Sequence, residues 1–331
     1  MKSLWKDVAV ALVMGLILPW MLLNFAVMLL DSKEELPVLQ ESSEITETTE
    51  TAEAAQPVPL PMRLRCADGT TREQNMDTYL VGVVLAEMPA SFETEALKAQ
   101  SVVARTYTRK AYETGGKHGD GSVCDQPSCC QAYISEADYL AKGGTEENVR
   151  KVRAAVNATS GYVLTYEGGL IEATYFSCSG GMTEEAAAVW GTDFPYLRSV
   201  ESPGEENAAH YTDTVTFTAE EFQNALGTSL SGAPLTWFGE ATQTSGGGVD
   251  TISIGSEIYT GMSLRALLGL CSTAFEMRAD GETVTVTTKG FGHRVGMSQY
   301  GADAMAVTGS TYAEILRHYY PETELTALKS E

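Results

Sequence analysis

Glu87 closes a helical pattern in VVLAEMPASFETEALKAQSVVART, Val83 to Thr106. Four apolar residues precede it and Met88-Pro89 follows. Two readings are open. It is the polar end of a helix, mildly unfavourable against the C-terminal dipole, or a carboxyl kept partly desolvated so that it can hold and give a proton. A second stretch, GFGHRVGMSQYGADAMA (Gly290–Ala306), sets three glycines in seven residues around His293, before a helix expected from Ser298. Such a loop lets backbone approach a ligand closely, and a helix N-terminus offers free N–H groups. Equally, it is a tight strand-to-helix turn with one histidine. Neither the spacing nor a following Lys-Ser/Thr fits a dinucleotide or phosphate site. Third, His118, Cys124 and Cys130 follow one another at intervals of six, with Cys129 beside the last. Imidazole and thiolate are zinc ligands, and three of them with one open position describe many catalytic zinc sites. The C-x₂₋₄-C spacing of structural zinc sites is absent. Pairing of Cys124 with Cys129, Cys130 or Cys178 as a disulfide is the alternative. Cys66 and Cys271 read as buried thiols.

These groups need elements to hold them. Arg63–Thr71 ends in Asp68-Gly69 and reads as a strand and hairpin edge. Met76–Met88 is periodic in apolar residues and stops at Pro89, with Asp77 near its start. A second helix is expected from Glu93 or Thr94 to about Tyr112, with Lys98, Ser101 and Arg105 on one face. Glu146–Ser160 reads as a third helix, followed by a strand pair in YVLTYEGGLIEATYFS turned at Gly168-Gly169. Helices near Glu220–Leu226, Ser263–Leu270 and Tyr312–Tyr319, and strands in DTISI and Thr283–Thr288, complete the pattern. Helices interleaved with antiparallel strands predict an α+β fold. Its core is expected over residues 63–210 and 283–331, with a smaller appended lobe at 211–282.

The first residues are of another kind. Val8–Leu30 is apolar except for Asn24, long enough as a helix to cross a hydrocarbon core of about 30 Å. Lys2 and Lys6 precede it, so residues 1–7 are expected in the cytoplasm and the remainder outside. A cleaved signal peptide is the alternative, without a clear small-x-small site near Leu30. Asp31–Met62, rich in Glu, Thr and Pro, reads as a disordered acidic linker. The formal net charge is −22. The linker carries −7 and the residues before it +1, leaving −16 for Arg63–Glu331. A strongly acidic exported domain is a poor nucleic-acid binder, whereas an uncharged polymer such as a glycan is not repelled.

Four blocks in order, EMPASFETEALKAQSVVARTY, CCQAY, ATYFSCSGGMTEEAAAVWG and GFGHRVGMSQYGADAMA, together resemble the exported domain of the stage II sporulation protein D family, over roughly Arg63 to Tyr320. The resemblance implies a membrane-anchored lytic transglycosylase. It would cut peptidoglycan strands during forespore engulfment, from the mother-cell membrane that faces the forespore. Its partners would be stage II sporulation proteins P and M, and its preferred strands those already stripped of stem peptides. It implies a catalytic role for Glu87. A hydrolysing glycosidase needs two placed carboxylates, whereas a lytic transglycosylase works with one, since the muramic acid C6 hydroxyl is its own nucleophile. Lys98, Ser101 and Arg105 are then candidates to bind glycan, Tyr175, Ser177 and Ser179 to line the groove, and His293 to orient substrate or to hold the glycine loop. Clostridial members point to zinc on His118, Cys124 and Cys130. Three rivals stand beside this reading: a hydrolytic muramidase, a non-catalytic wall scaffold or amidase activator, and a zinc metallopeptidase. The last lacks an H-E-x-x-H helix.

Overall fold

The computed structural model describes residues 60–66 and 68–328. The expected cytoplasmic tail, membrane span and nearly all of the linker lie outside the described residues. Among the described residues no helix is long and apolar enough to cross a membrane. The linker is shorter than expected: Pro61 and Met62 open a strand, and Met62 is buried.

β1 (Pro61–Arg65) and β2 (Thr71–Asn75) form the expected antiparallel hairpin. α1 (Met76–Glu87) starts where the Asn75 side chain caps the Thr78 amide. It is buried on nearly all sides, which its unbroken apolar run allows. α2 (Thr94–Thr114) lies across it and ends at Gly115 in the left-handed region, φ 89°. β3 (Ser122–Cys124) then runs parallel to β1. α3 (Glu136–Ala141) is a short helix that sequence periodicity does not reveal, and α4 (Glu146–Ala158) packs on α1 and α2. β4 (Tyr162–Tyr166) and β5 (Gly169–Leu170) form a tight hairpin. The chain then leaves it, so β6 (Tyr175–Phe176) belongs to another sheet. α5 (Ala186–Trp190) follows.

A second apolar core marks the lobe. It comprises β7 (Thr212–Thr218), α6 (Ala219–Leu226), β8 (Phe238–Gln243), β9 (Val249–Ile254), β10 (Glu257–Thr260), α7 (Gly261–Leu268), β11 (Phe275–Ala279) and β12 (Thr283–Lys289). The boundary expected at Thr283 is corrected here: β12 is the central strand between β7 and β11, and Val284 and Val286 fill the lobe's core. The lobe therefore runs to Lys289. The chain returns through β13 (Met297–Ser298), parallel to β6, then α8 (Gln299–Val307), α9 (Tyr312–Tyr319) and β14 (Glu324–Ala327), which pairs with β4. The fold is α+β, mostly antiparallel, with β1/β3 and β6/β13 as short parallel pairs.

One contact in this frame governs the site. Residues 131–134 lie along α1, where the Ile134 amide donates to the Gly82 carbonyl at 3.2 Å. A Cβ on Gly82 would stand 2.4 Å from the Ile134 carbonyl oxygen and 2.5 Å from the Tyr133 ring. Gly82→Ala gains about 1 kcal/mol of helix propensity but overpacks against backbone, at about 1–3 kcal/mol. The expected outcome in urea unfolding is a net loss of up to about 2 kcal/mol. A variant as stable as the parent would show that the segment yields freely.

Candidate active site

Glu87 is the last residue of α1 and faces a cavity of about 730 Å³. Its Oε1 accepts a hydrogen bond from the Ala132 amide at 2.6 Å, and the Tyr175 hydroxyl and Gln299 amide lie against the same carboxyl. Burial pushes the Glu87 carboxyl above the ordinary carboxylate range, although the contacts with Ala132, Tyr175 and Gln299 pull the other way. The carboxyl therefore keeps its proton to a higher pH than an exposed one. Val83 and Val84, four and three positions before Glu87 and so on its side of α1, are buried in the core, as is Leu85. The groups against the carboxyl come from residues distant in sequence.

Those groups are themselves tied down. Gln131 is buried: its Nε2 donates to the Tyr79 hydroxyl (3.2 Å) and to Thr108 Oγ1 (3.0 Å), and its Oε1 accepts from the Tyr175 hydroxyl (3.1 Å). Gln299 sits just after the Ser298 cap of α8, and its Nε2 is buried without a hydrogen-bond partner among the described residues. The mouth of the cavity is aromatic, with Trp190 (42% exposed) and Phe291 (41% exposed).

His293 lines the cavity between Phe176 and Trp190, with ring centroids 5.7 and 5.3 Å away. Its Nδ1 accepts from the Val295 amide at 3.1 Å, and the ring also bonds to the Tyr175 backbone. Burial, with help from the Arg265 charge, lowers its pKa to about 4, so it is neutral at pH 7 and holds the loop. Gly292 of this loop lines the cavity, whereas Gly290 and Gly296 serve backbone packing. A Cβ on Gly296, at φ 82°, would stand 2.1 Å from the Thr174 carbonyl oxygen. Arg294, also at positive φ, is buried against Glu184 (3.2 Å) and donates to the carbonyls of Ser179, Met182 and Gly246.

Of the other expected site residues, Tyr175 and Ser177 line the cavity. Ser179 does not: it is fully buried, and its hydroxyl and amide both donate to Glu205. Lys98, Ser101 and Arg105 are corrected as well, since none lines the cavity. Lys98 pairs with Glu95 at 2.6 Å and stands over the Tyr312 ring. The Ser101 hydroxyl returns to the Leu97 carbonyl at 2.7 Å, and Arg105 is wholly buried against Asp77 at 2.9 Å. They share a helix face, and that face is turned into the protein.

The ligating atoms of His118, Cys124 and Cys130 come together, all within 4.8 Å of one another, and Cys129 joins them. His118 Nε2 lies 3.6 Å from Cys130 Sγ and 3.9 Å from Cys129 Sγ, and the two sulfurs are 3.9 Å apart. A tetrahedral zinc with bonds of about 2.3 Å to sulfur and about 2.0 Å to nitrogen sets its donors about 3.5–3.8 Å apart. The donor set therefore fits zinc. Cys66 and Cys271 lie elsewhere, and all six cysteines are free thiols. Sequence reasoning named Cys129 only as a neighbour of the ligands and a disulfide candidate, and did not single out Gln131, Trp190, Phe291 or Gln299. Each stands within or beside a block quoted above, and that adjacency was the available signal.

The region that carries α1 and the cysteine turn is also matched by a known family. A family described as "Stage II sporulation protein" matches residues 68–166. Stage II sporulation protein D of Bacillus subtilis (strain 168) is 42% identical over 277 residues, 82% of this chain and 80% of that protein. The Bacillus amyloliquefaciens protein of the same name is 39% identical over 279 residues, 83% of this chain and 80% of its own. The amidase enhancer of B. subtilis (strain 168) is 30% identical over 306 residues, 75% of this chain and 40% of that longer protein. An identity of 42% along four fifths of both partners makes this chain a member of the stage II sporulation protein D family.

Proposed function

We propose that the chain is a peptidoglycan lytic transglycosylase that acts in sporulation, with Glu87 as its single acid and base. One observation carries this reading: Glu87 is the cavity carboxyl whose proton is held by burial. The other carboxylate among the described lining residues, Glu172, is ion-paired with Lys110 at 2.6 Å. One free carboxyl suits chemistry in which the substrate supplies the nucleophile, and it does not supply the acid and base pair of a hydrolase. Glu87 gives its proton to the glycosidic oxygen as the bond to muramic acid C1 breaks. The resulting carboxylate takes the proton of the C6 hydroxyl as that oxygen closes on C1. A 1,6-anhydro end forms, a free hydroxyl leaves on the departing sugar, and Glu87 regains its proton.

The surroundings support a sugar substrate. Trp190 and Phe291 offer apolar ring faces at the mouth, and the Gln299 amide is a buried polar group beside Glu87. The zinc reading on His118, Cys124 and Cys130 belongs to this proposal, and bound zinc would supply binding free energy that fixes their loops. So do the membrane anchor at residues 8–30, the position in the mother-cell membrane, the preference for strands without stem peptides, and stage II sporulation proteins P and M as partners. The second reading is a wall-binding scaffold that activates an amidase, favoured by the 30% identity to an amidase enhancer. Mass spectrometry separates them. The full chain in detergent is incubated with peptide-free glycan strands, and fragments one water lighter than hydrolytic products mark the transglycosylase. Glycan bound without new ends marks the scaffold.

A further inference from the structure

Cys129 and Cys130 lie in a turn, where both of their amides bond to the Gln126 carbonyl at 3.0 and 2.9 Å. In an extended strand adjacent side chains would point to opposite faces. In this turn both sulfurs reach the same nitrogen, His118 Nε2. We infer that Cys129 is a fourth ligand, so that the metal centre is a closed Cys₃His site whose role is to position the segment Cys130–Ala132 beneath Glu87.

Three observations carry this. Three of the distances among the four donors already match a tetrahedron, and closing the widest pair, within 4.8 Å, asks for a movement of about 1 Å. Three thiolates and one imidazole leave a divalent zinc with a net charge of −1. The Lys117 ammonium donates to the backbone carbonyl of Cys129 and so brings a positive charge to the residue that would carry the fourth thiolate. Lastly, the two residues after Cys130 are those that hold the reacting carboxyl. Gln131 accepts from Tyr175, and the Ala132 amide donates to Glu87. Two residues further on, the Ile134 amide is bonded to Gly82 on α1. The segment is thus pinned at its far end by the helix and at its near end by the metal. With four protein ligands no position remains for water or a sugar oxygen, which distinguishes the centre from a catalytic zinc. Cys129 is a positioning residue.

The inference rests on the zinc reading for its ion and is independent of the transglycosylase, so its test needs no turnover. The full chain in detergent is stripped of metal, reduced, and titrated with Co²⁺ and Zn²⁺, beside Cys129→Ser and Cys129→His. Wild type is expected to bind one ion with tetrahedral Co²⁺ ligand-field bands. Cys129→Ser should lose about a third of the thiolate charge-transfer intensity. Its zinc affinity should fall at least 100-fold, since even removing a partner of a ligand costs roughly 10–100-fold. Cys129→His should restore tetrahedral bands and most of the affinity. Hydrogen exchange at the Ala132 amide should slow on metal loading in wild type and in Cys129→His, and not in Cys129→Ser. Unchanged affinity and charge transfer in Cys129→Ser would overturn the fourth ligand. Cobalt bands of five- or six-coordination in wild type would overturn the closed site. An Ala132 amide indifferent to metal would overturn the positioning role.

Discussion

Glu87→Gln is expected to lower the rate of anhydro-end formation by about 10²–10⁴-fold, the usual contribution of a placed general acid and base, while the fold stays at least as stable at neutral pH. The geometry survives, because the glutamine carbonyl can still accept from the Ala132 amide that now bonds to Oε1 at 2.6 Å. The proton is what is lost. Burial raises the Glu87 pKa in the folded protein, so the folded state binds the proton more tightly than the unfolded chain does. Stability from this group is complete below the ordinary carboxylate range and is lost as pH rises through the raised folded value. Glutamine carries no such dependence. Its melting temperature should match wild type at acid pH and equal or exceed it at pH 7, by scanning calorimetry across that window. Activity should fall with rising pH over the same interval in wild type. A glutamine variant that still made anhydro ends would remove Glu87 from the chemistry. One that cleaved nothing but melted early would leave a folding defect as the cause.

Replacing Arg105 by methionine is expected to cost about 3–5 kcal/mol of stability, the scale for breaking one side of a buried ion pair. The guanidinium is wholly buried. It reaches Asp77 Oδ1 through Nε (3.3 Å) and Nη2 (2.9 Å), and the carbonyls of Tyr162 (3.3 Å) and Val156 (3.2 Å). Methionine fills the space and leaves a carboxylate and two carbonyls short of donors. The Ser160 hydroxyl also bonds Asp77, so one helix start, one helix end and β4 depend on this single cation. At about 2–4 °C per kcal/mol for a domain of this size, the melting temperature should fall by roughly 6–20 °C. Lysine should recover part of the loss, since it keeps the charge without the fork. A methionine variant of normal stability with a raised KM would instead return Arg105 to the glycan site.

Arg105 shows where the sequence stops being informative. Helical periodicity put Lys98, Ser101 and Arg105 on one face, and they are on one face. Whether that face meets solvent depends on Asp77 and on carbonyls more than fifty residues away, which no local pattern carries. β12 is similar: its alternation was legible, yet membership of a sheet is a property of the partners, β7 and β11, and the lobe boundary moved with it. Glu87 was legible as an anomaly, a carboxylate after an apolar run, but the polar groups set against it come from Ala132, Tyr175 and Gln299, far along the chain. The cysteines converge because a turn folds Cys129 and Cys130 toward His118, and spacing alone could not say that both point inward. The four sequence blocks proved informative for another reason: each contributes a piece of one cavity.

The Gly290 amide donates to the Tyr211 carbonyl at 3.0 Å. The chain thus enters and leaves the lobe at one hydrogen bond, and β6 and β13, on either side of it, pair with each other rather than with the lobe. In evolutionary terms this is a socket. Whatever lies between these two residues can lengthen, shrink or be exchanged while the cavity walls keep their register, since insertions whose ends lie close together are tolerated best. The exception is the turn at Thr244–Gly248, whose Thr244 hydroxyl and Gly248 amide donate to Glu184 Oε1 and whose Gly246 carbonyl accepts from Arg294. A replacement module would have to bring its own cap for that pair, so the socket carries a key.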